Sequence, residues 1–542
     1  MRKKKTLEQL NDAFGLVKDH DYNFDLIKRY FNNKDHSQSF QTLSDKTCND
    51  LDFEELFMFL DRTTSKVGQQ YLYKHLRTLP TASPDLDFKE KLIQKLKVNN
   101  DFRNKALLHL NKLNKNDAYY IPSLFQEEHA RRPKWFFIIQ LLALTSLLSL
   151  CLLPVLPQLF FVFLAVFLVN IVFHYWNKRH LFQYLESLPQ LAKLNSVASH
   201  LHNDHLFNKL NPDLNHSIEQ IRQLNAKMSL FRLEAKLQNQ AEAIFWSLLE
   251  LFKIAFLIEP LLLFGVLQRL NTMREELENV YCFVGEIDIL LSTASLRSGL
   301  DQYCIPVIQP AHISAKQMYH PLISNCVANT VNFSDKSVLL TGSNMSGKTS
   351  FIRTIGLNII SGLTLNTCFA QAMSFPRLRV FSAIRISDDL INNKSYYFEE
   401  VLTIKNMLDT STDGIPSLFL LDEIFKGTNT IERIAAGKAV LSALAQKNNS
   451  VFVSTHDIEL TDLLDQEYEL YHFSEVVKDN NVDFDYKLKA GKLKNRNAIQ
   501  ILQINDYPQN VIKEALSISA ELDQITINPK PLFTHKKMMH KN

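Results

Sequence analysis

Residues 336–355 read KSVLLTGSNMSGKTSFIRTI. The apolar run at 337–340 predicts a buried strand, and residues 350–355 predict a helix. The loop between them, from Gly342 to Thr349, has the Gly-x-x-x-x-Gly-Lys-Thr spacing of a phosphate-binding loop. A chance match in a surface loop is the alternative, but a strand before the loop and a helix after it are the context in which this motif works. The stretch therefore predicts an α/β nucleotide-binding domain.

Each residue type in this loop suits a part of ATP or its Mg²⁺ ion. Glycines let backbone N–H groups turn towards phosphate oxygens, and the helix that follows adds the positive end of its dipole. Lys348 would place a charge at the β- and γ-phosphates, and the Thr349 hydroxyl would bind Mg²⁺. The predicted nucleotide-binding residues of the loop are Gly342, Ser343, Asn344, Met345, Ser346, Gly347, Lys348, Thr349 and Ser350.

Two further apolar runs end in polar residues that fit the same site. Residues 417–421 lead into Asp422 and Glu423, and residues 450–454 lead into Thr455 and His456. We predict that Asp422 holds the metal, that Glu423 polarises the attacking water, and that His456 senses the γ-phosphate. Solvated acids and a bland histidine at a strand end are the alternatives, which the phosphate loop disfavours.

Composition sets few limits on function. The chain has 60 Lys plus Arg against 57 Asp plus Glu, a balance of +3 that neither demands nor excludes a nucleic-acid partner. Its six cysteines include no Cys-x-x-Cys pair, so we expect neither a zinc site nor a disulfide framework. A reducing compartment is the expected setting. The basic start is not followed by an apolar run and does not resemble a secretory signal.

Two uncharged runs, at 135–153 and 158–176, are each about long enough to cross a bilayer. Basic residues flank their outer ends, and the turn between them has none. The pattern predicts a transmembrane hairpin with both ends in the cytoplasm, and a pair of buried core helices is the alternative. Residues 244–267 are also apolar but contain three charges, so we interpret them as core or as a helix on the membrane surface.

Taken together, the motifs resemble the MutS family of mismatch-repair proteins, a branch of the ABC-type ATPases. The ATPase segments that carry the resemblance are 341–349, 420–424, 427–430, 454–456, 388–390, 394–397 with Glu400, 320–321 with Asn329, and 486–491 with 499–502. Residues 60–63 and 285–288 are similar to the start and end of the family's helical lever.

The resemblance implies further roles. Ser395 would reach the γ-phosphate bound by the other subunit of a homodimer, which makes it a fourth catalytic residue beside Glu423, Lys348 and His456. Asn329 would lie near the nucleotide base. The implied cofactors are ATP and Mg²⁺, and the implied partners are DNA, held mostly through its backbone, and repair-type proteins.

Several departures from the family are visible. No Phe-x-Glu segment of a mismatch-reading domain precedes the lever-like region, and Leu365 replaces a glutamine three residues before Cys368. Ser343 and Ser346 stand where bacterial repair proteins carry proline and glycine. The resemblance therefore implies a divergent, membrane-associated member without the mismatch-reading N-terminal domain.

The predicted fold is a C-terminal P-loop α/β ATPase domain preceded by an all-α lever with an inserted two-helix transmembrane hairpin. The predicted regions are a polar extension (1–45), the first lever part (46–130), the hairpin (131–180), the second lever part (181–300), a connector (301–318), the ATPase domain (319–530) and a basic tail (531–542). The predicted location is the cytoplasmic membrane, with two spans and the ATPase domain in the cytoplasm.

Two functions compete at this point. The first is an ATP-hydrolysing, MutS-like dimer that binds DNA, linked to mismatch repair or to sensing DNA structure. The basic residues between 487 and 496 could contact phosphates, although a solvated charged face is the alternative. The second is a membrane-anchored ATPase switch that acts on protein or lipid partners without DNA.

Overall fold

The computed structural model describes residues 2–81, 85–129, 133–185, 187–227, 250–309, 312–333, 336–343, 345–385, 396–478, 481–493, 498–504 and 507–527. The chain divides into two compact units, and each is built from two stretches of sequence. Met1–Thr42 and Glu54–Asp301 form the first, which we name the helical unit. Leu43–Phe53 and Gln302–Asn542 form the second, which we name the sheet unit.

The helical unit consists of α-helices with two short 3-10 turns and one small strand pair. Its α-helices are Arg2–Asp12, Phe24–Asn32, Phe53–Leu60, Lys66–Arg77, Leu86–Val98, Asn100–Leu110, Ser123–Gln126, Phe136–Leu152, Leu159–Leu185, Ser187–His202, His205–Asn208, Leu214–Lys227, Ile258–Thr272 and Arg274–Gly299. The 3-10 turns are Asn111–Leu113 and Asn116–Tyr120. Strands β1 (Gln41–Thr42) and β2 (Thr78–Leu79) pair antiparallel.

The helix Arg274–Gly299 runs through the main core of this unit. Leu277, Tyr281 and Val284 are buried at the three- and four-residue spacing that lines up one helix face. Gly68 allows this helix to approach the helix Lys66–Arg77 closely, because a Cβ atom at position 68 would lie 2.1 Å from an oxygen of Asp288. Only glycine fits at that position without a shift of the two helices.

The turn between the helices Phe53–Leu60 and Lys66–Arg77 is held by two fully buried carboxylates, Asp61 and Asp288. Asp61 accepts hydrogen bonds from Lys18 Nζ at 2.8 Å, the Thr63 backbone N–H at 2.9 Å and Gln69 Nε2 at 2.6 Å. Asp288 accepts from the backbone N–H groups of Thr64 and Ser65, both at 2.8 Å. Burial raises the pKa of Asp288 to about 6.

The predicted transmembrane hairpin is wrong. Among the residues that the structure describes, no helix is both long enough and apolar enough to cross a membrane. The predicted location in the cytoplasmic membrane, with two spans, is therefore wrong as well. The helix Phe136–Leu152 has 17 residues, which at 1.5 Å per residue gives about 26 Å against a hydrocarbon core of about 30 Å.

Polar contacts inside the second apolar run give a further physical reason for the correction. The second helix, Leu159–Leu185, buries the side chains of Asn170 and His174. Asn170 Nδ2 donates to the Ala255 carbonyl at 2.7 Å, and His174 Nε2 lies 3.2 Å from a carboxylate oxygen of Glu250. The run therefore has a polar face that packs on the chain around residue 250, which a count of uncharged residues does not reveal.

The ambiguous stretch 244–267 lies outside the described residues at 244–249, and its remainder packs in the helical unit. Leu257 and Phe264 are buried in a small core with Phe136 and Ile139 of the hairpin. Lys253 is 3% exposed, and its Nζ lies 3.6 Å from a carboxylate oxygen of Glu250. These contacts correspond to the core interpretation of this stretch.

The sheet unit has two main sheets and a separate hairpin, surrounded by helices. Its strands are β3 (Val307–Ile308), β4 (Ser314–Met318), β5 (Asn329–Asn332), β6 (Ser337–Thr341), β7 (Ala372–Phe375), β8 (Arg379–Ala383), β9 (Ser417–Asp422), β10 (Ser450–Ser454), β11 (Tyr468–His472), β12 (Glu475–Lys478), β13 (Asn481–Phe484) and β14 (Lys489–Ala490). Its α-helices are Asp45–Asp50, Lys348–Leu365, Tyr396–Ser411, Thr430–Leu444, Glu459–Leu463, Ala498–Ile504 and Gln509–Ile527.

The six-stranded sheet positions the candidate site. Its order is β14-β11-β6-β10-β9-β8, and the five strands from β11 to β8 run parallel. All five residues of β6 are buried, as expected for a strand covered on both faces. A four-stranded sheet of order β3-β7-β4-β5 and the β12–β13 hairpin complete the unit.

The segment Leu43–Phe53 joins this unit from far away in the sequence. Its residue Asp50 is fully buried and accepts hydrogen bonds from Ser382 Oγ at 2.8 Å and from the backbone N–H groups of Ile384 and Arg385 at 3.0 and 2.9 Å. Asp52 pairs with Arg353 of the helix Lys348–Leu365 at 2.8 Å. The segment therefore fixes the chain just after β8.

Candidate nucleotide site

Three parallel strands bring the predicted residues to one edge of the sheet. β10 lies between β6 and β9, with Ser454 opposite both Leu340 and Asp422. The phosphate loop follows β6, Glu423 follows β9, and Thr455 with His456 follows β10. Because the carboxyl ends of parallel strands share an edge, these groups gather in the crevice where α/β sheets bind ligands.

The phosphate loop turns tightly between β6 and the helix Lys348–Leu365. Gly347 has φ +102° and is the N-cap of the helix, and a Cβ atom at Gly342 would lie 2.8 Å from the Phe473 carbonyl oxygen. Lys348 Nζ donates to the carbonyls of Gly342 and Ser343 at 2.8 and 2.9 Å. Burial lowers the pKa of Lys348, although the carboxylates of Glu423 and Asp422 oppose that effect. A phosphate would replace the carbonyl oxygens as the partner of this cation.

Thr349 and Asp422 form the candidate Mg²⁺ position. Thr349 Oγ1 donates to Asp422 Oδ2 at 2.7 Å, and Ser454 Oγ donates to the other oxygen of Asp422. Among the described residues no three His, Cys, Asp or Glu side chains gather as a metal cage. One hydroxyl and one carboxylate fit Mg²⁺, because this ion takes its remaining ligands from phosphates and water.

Glu423 is the ionised carboxylate that lies nearest to His456. It lies in a left-handed backbone conformation with φ +52°, and its side chain is 17% exposed. His456 Nε2 lies 2.8 Å from one carboxylate oxygen, and Lys426 pairs with the other. The hydrogen bond with His456 is the largest cause that lowers the pKa of Glu423 to about 2. Glu423 is therefore ionised at neutral pH.

Glu400 supports the loop that follows Glu423. It is fully buried on the helix Tyr396–Ser411, and one of its oxygens accepts a hydrogen bond from the Phe425 backbone N–H at 2.5 Å. Phe425 itself has φ +62°. Burial raises the pKa of Glu400.

A cavity of about 590 Å³ continues from the phosphate loop towards the loop that joins β4 to β5. Its lining includes Tyr319, Ile323, Val327 and Asn329 beside the phosphate loop itself. This volume lies in the range of small-molecule sites. Asn329 also ties down a neighbouring segment: its Nδ2 donates to the Tyr486 carbonyl at 3.0 Å, and its Oδ1 accepts from the Leu488 N–H at 2.8 Å.

Most of the predicted site residues are brought together by the structure. Lys348, Thr349 and Ser350 line the cavity with Gly347, Met345 and Ser343, while Ser346 Oγ is hydrogen-bonded to the Ser343 carbonyl at 2.8 Å. Asn344 and Ser395, together with the segment 388–394, lie outside the described residues.

Sequence reasoning missed three contributions to this site. Ser454 binds Asp422, Lys426 pairs with Glu423, and the 319–327 loop forms a cavity wall. Ser454 and Lys426 each lie within three residues of a motif residue, so proximity in sequence was an available signal. Part of the cavity wall, at His320 and Asn329, was signalled through the resemblance, but residues 323–327 had no comparable signal.

Comparison with known proteins gives a consistent result. The family described as MutS domain V matches residues 338–523. The DNA mismatch repair protein MutS of Listeria welshimeri is 30% identical over 298 residues, which cover 52% of this chain and 34% of that protein. Its counterpart in Oceanobacillus iheyensis is 30% identical over 270 residues, 47% of this chain and 30% of that protein.

A third relative, the DNA mismatch repair protein MutS of Exiguobacterium sp., is 28% identical over 274 residues, 48% of this chain and 32% of that protein. The chain thus spans about a third of the length of the curated relatives that it matches. The matched region contains the phosphate loop, both strand-end carboxylates and His456. Residues 338–523 of this chain are therefore similar to domain V of the MutS family.

Proposed function

We propose that the chain binds and hydrolyses ATP with Mg²⁺ and couples this activity to DNA, as a MutS-like protein. The observation that carries the proposal is the meeting of three groups at one sheet edge. These are Lys348 in the phosphate loop, the Thr349–Asp422 hydrogen bond, and the Glu423–His456 contact. Phosphoryl transfer needs little more from a protein than such positioned charges and a group that orients water.

In the proposed reaction the backbone of the loop and Lys348 hold the phosphates, and Thr349 and Asp422 hold Mg²⁺. The ion neutralises charge on the β- and γ-phosphates when it is bound. Glu423, ionised at neutral pH, accepts a hydrogen bond from the attacking water and aligns it with the γ-phosphorus. The water oxygen bonds to phosphorus as the bond to the β–γ bridging oxygen breaks, and ADP leaves. His456 orients Glu423 and, we propose, contacts the γ-phosphate.

The proposed assembly is a homodimer with composite ATP sites, in which Ser395 of one subunit completes the site of the other. This part rests on the family, because Ser395 lies outside the described residues. The cavity wall around Tyr319 and Val327 is the proposed base pocket, with Asn329 at its edge.

DNA is the proposed macromolecular partner because the relatives are DNA mismatch repair proteins. The basic stretch after residue 486 does not mark the interface by itself. Lys489 pairs with Asp485 at 2.5 Å and Lys492 with Asp462, as on a solvated charged face. The alternative of a membrane-anchored switch depended on the transmembrane hairpin, and no described helix can cross a membrane.

The test is steady-state ATP hydrolysis by the full chain, with and without duplex, mismatched and branched DNA. Lys348→Ala should reduce hydrolysis to background, because the phosphates lose their cation, and Lys438→Ala, at a surface ion pair with Glu467, serves as the matched control. A mixture of the Lys348→Ala and Ser395→Ala chains should recover part of the activity, because a mixed dimer contains one intact composite site.

Stimulation by DNA that weakens steeply with added salt supports the proposed DNA coupling. Hydrolysis that is indifferent to every DNA contradicts it. Full activity of Lys348→Ala would contradict the proposed ATP site itself, and the absence of recovery in the mixture would contradict the composite dimer.

A further inference from the structure

The helical unit contains a second cavity, of about 560 Å³. Its apolar side is lined by Leu10, Phe14, Leu16 and Val17, and the last two are 62% and 56% exposed. Its other side is lined by basic and polar side chains from the start of the helix Lys66–Arg77 and the turn before it. The basic residues are Lys18, His20, Arg62 and Lys66.

In the part of the chain that the structure describes, two of these cations have no ion-paired acid. Among the described residues, no carboxylate lies within ion-pair distance of Lys66, whose recorded contact is the ring of Tyr119 at 5.2 Å. Arg62 is 9% exposed, and its Nη1 donates only to backbone carbonyls, that of Phe59 at 2.5 Å and that of Asp61 at 3.4 Å. Its Nε is buried without a hydrogen-bond partner in the part of the chain that the structure describes. A buried donor in this condition destabilises the fold unless a ligand satisfies it.

The acids near the cavity do not balance these charges. Asp61 is already engaged by Lys18 through both carboxylate oxygens at 2.8 Å, and by Thr63 and Gln69. Asp19 lines the cavity but is exposed to solvent. At the cavity, Lys18, Arg62 and Lys66 therefore outnumber the carboxylates of Asp61 and Asp19 by one charge.

The charges around His20 agree with this excess. Burial is the first cause that lowers its pKa, and repulsion from Lys18 and Lys66 follows, against smaller opposing effects of Asp61 and Asp21. The pKa of Lys66 is lowered in the same way by burial and by Lys18. A negative charge in the cavity would relieve this repulsion.

We propose that this cavity binds an organic phosphate monoester. Arg62 and Lys66 match the two negative charges that a phosphate monoester approaches at neutral pH. The hydroxyl groups of Thr64 and Ser65 and the amides of Asn114 and Asn116 also line the cavity and offer donors to phosphate oxygens. The apolar wall formed by Leu10, Phe14, Leu16 and Val17 accommodates the organic part. All of these residues belong to the helical unit, so the proposal does not depend on the ATP site.

The test is calorimetric titration of the full chain carrying Lys348→Ala, which removes phosphate binding at the loop, with phenyl phosphate as the probe. We expect saturable binding, weaker binding of inorganic phosphate, and no binding of phenol. Lys66→Gln should weaken phenyl phosphate binding about 10-fold or more, as expected for loss of a charge-assisted contact. Lys105→Gln, at an exposed lysine outside the cavity, should leave it unchanged.

A second readout separates binding from a folding defect. The His20 imidazole signals, assigned with a His20→Gln variant, should titrate at higher pH when phenyl phosphate is bound, and the Lys66→Gln chain should show the same melting temperature as its parent. Absence of saturable binding overturns the proposal. So does binding that is unchanged by both Lys66→Gln and Arg62→Gln, or binding that leaves the titration of His20 unchanged.

Discussion

Each unit of the chain holds two carboxylates beside hydroxyl groups: Asp61 and Asp288 in the helical unit, and Asp422 and Glu423 in the sheet unit. The two pairs differ in their access to solvent and to a cavity. Asp61 and Asp288 in the helical unit are fully buried, and their partners are protein N–H, hydroxyl and ammonium groups. Glu423 in the sheet unit is 17% exposed on its side chain and faces His456 and a large cavity. A carboxylate whose hydrogen bonds are all made within its own chain stabilises the fold, whereas one that keeps access to a cavity is available for chemistry.

Loss of the Glu423 carboxylate is expected to have the largest effect. Glu423→Gln should lower ATP turnover by about 10²–10⁴-fold, because the neutral amide lacks the negative charge that polarises the attacking water. ATP binding should remain within a few-fold of wild type, since the phosphate loop is unchanged. Turnover and nucleotide affinity are measured together, and Glu432→Gln, on the surface near Thr428, is the matched control. Full turnover by Glu423→Gln would show that this carboxylate is not the base.

Asp61→Ala should act on stability instead. Removal of this buried carboxylate leaves Lys18, the Thr63 N–H and Gln69 without their acceptor, which costs about 3–5 kcal/mol in the free energy of unfolding. Urea unfolding gives this quantity, with the exposed Asp21→Ala as control. An Asp61→Ala chain that unfolds like wild type but loses ATP turnover would contradict the structural role that we assign to this carboxylate.

A smaller effect is expected from the pH dependence of Asp288. Its folded pKa of about 6 lies above the ordinary 3.8, so the folded chain retains a proton that the unfolded chain releases between these values. The stability from this group is complete below about pH 4 and is lost as pH rises through 6. The free energy of unfolding of wild type minus that of Asp288→Asn should therefore fall by as much as about 3 kcal/mol across this window.

Unfolding of both chains at several pH values between 4 and 7 measures this difference. Asp301→Asn, at the exposed aspartate that ends the helical unit, should show no such trend. A difference that stays flat, or that rises with pH, would mean that hydrogen bonds from Thr64 and Ser65 outweigh the burial of Asp288 and that its pKa is not raised.

The sheet-edge site could be anticipated from the sequence because its signals are local. A phosphate loop needs specific residue types within eight positions, and Asp422, Glu423 and His456 each follow an apolar run. The strand and the helix expected around the loop are present, at Ser337–Thr341 and Lys348–Leu365. The cavity wall at 323–327 required the fold, because residues that approach the loop from the other sheet have no spacing rule.

The prediction of a transmembrane hairpin was wrong because it depended on contacts that are distant in the sequence. Two uncharged runs satisfy a length rule for membrane helices, but that rule cannot detect partners elsewhere in the chain. Asn170 is 85 positions from Ala255, and His174 is 76 positions from Glu250. In the same way, no pattern in residues 43–53 showed that Asp50 would accept hydrogen bonds from Ile384 and Arg385.

The placement of Leu43–Phe53 has a consequence for the order in which the chain can fold during synthesis. Asp50 leaves the ribosome early, and its partner Arg385 lies 335 positions later. At about 5–20 residues per second this interval is roughly 20–70 s. Throughout it, Asp50 can pair with the nearby Lys46, which donates to it at 2.8 Å, but it lacks the donors from Ser382, Ile384 and Arg385. Leu43–Phe53 is thus the first segment of the sheet unit to be synthesised and one of the last to form its tertiary contacts. An isolated fragment that starts at residue 302 would lack this segment.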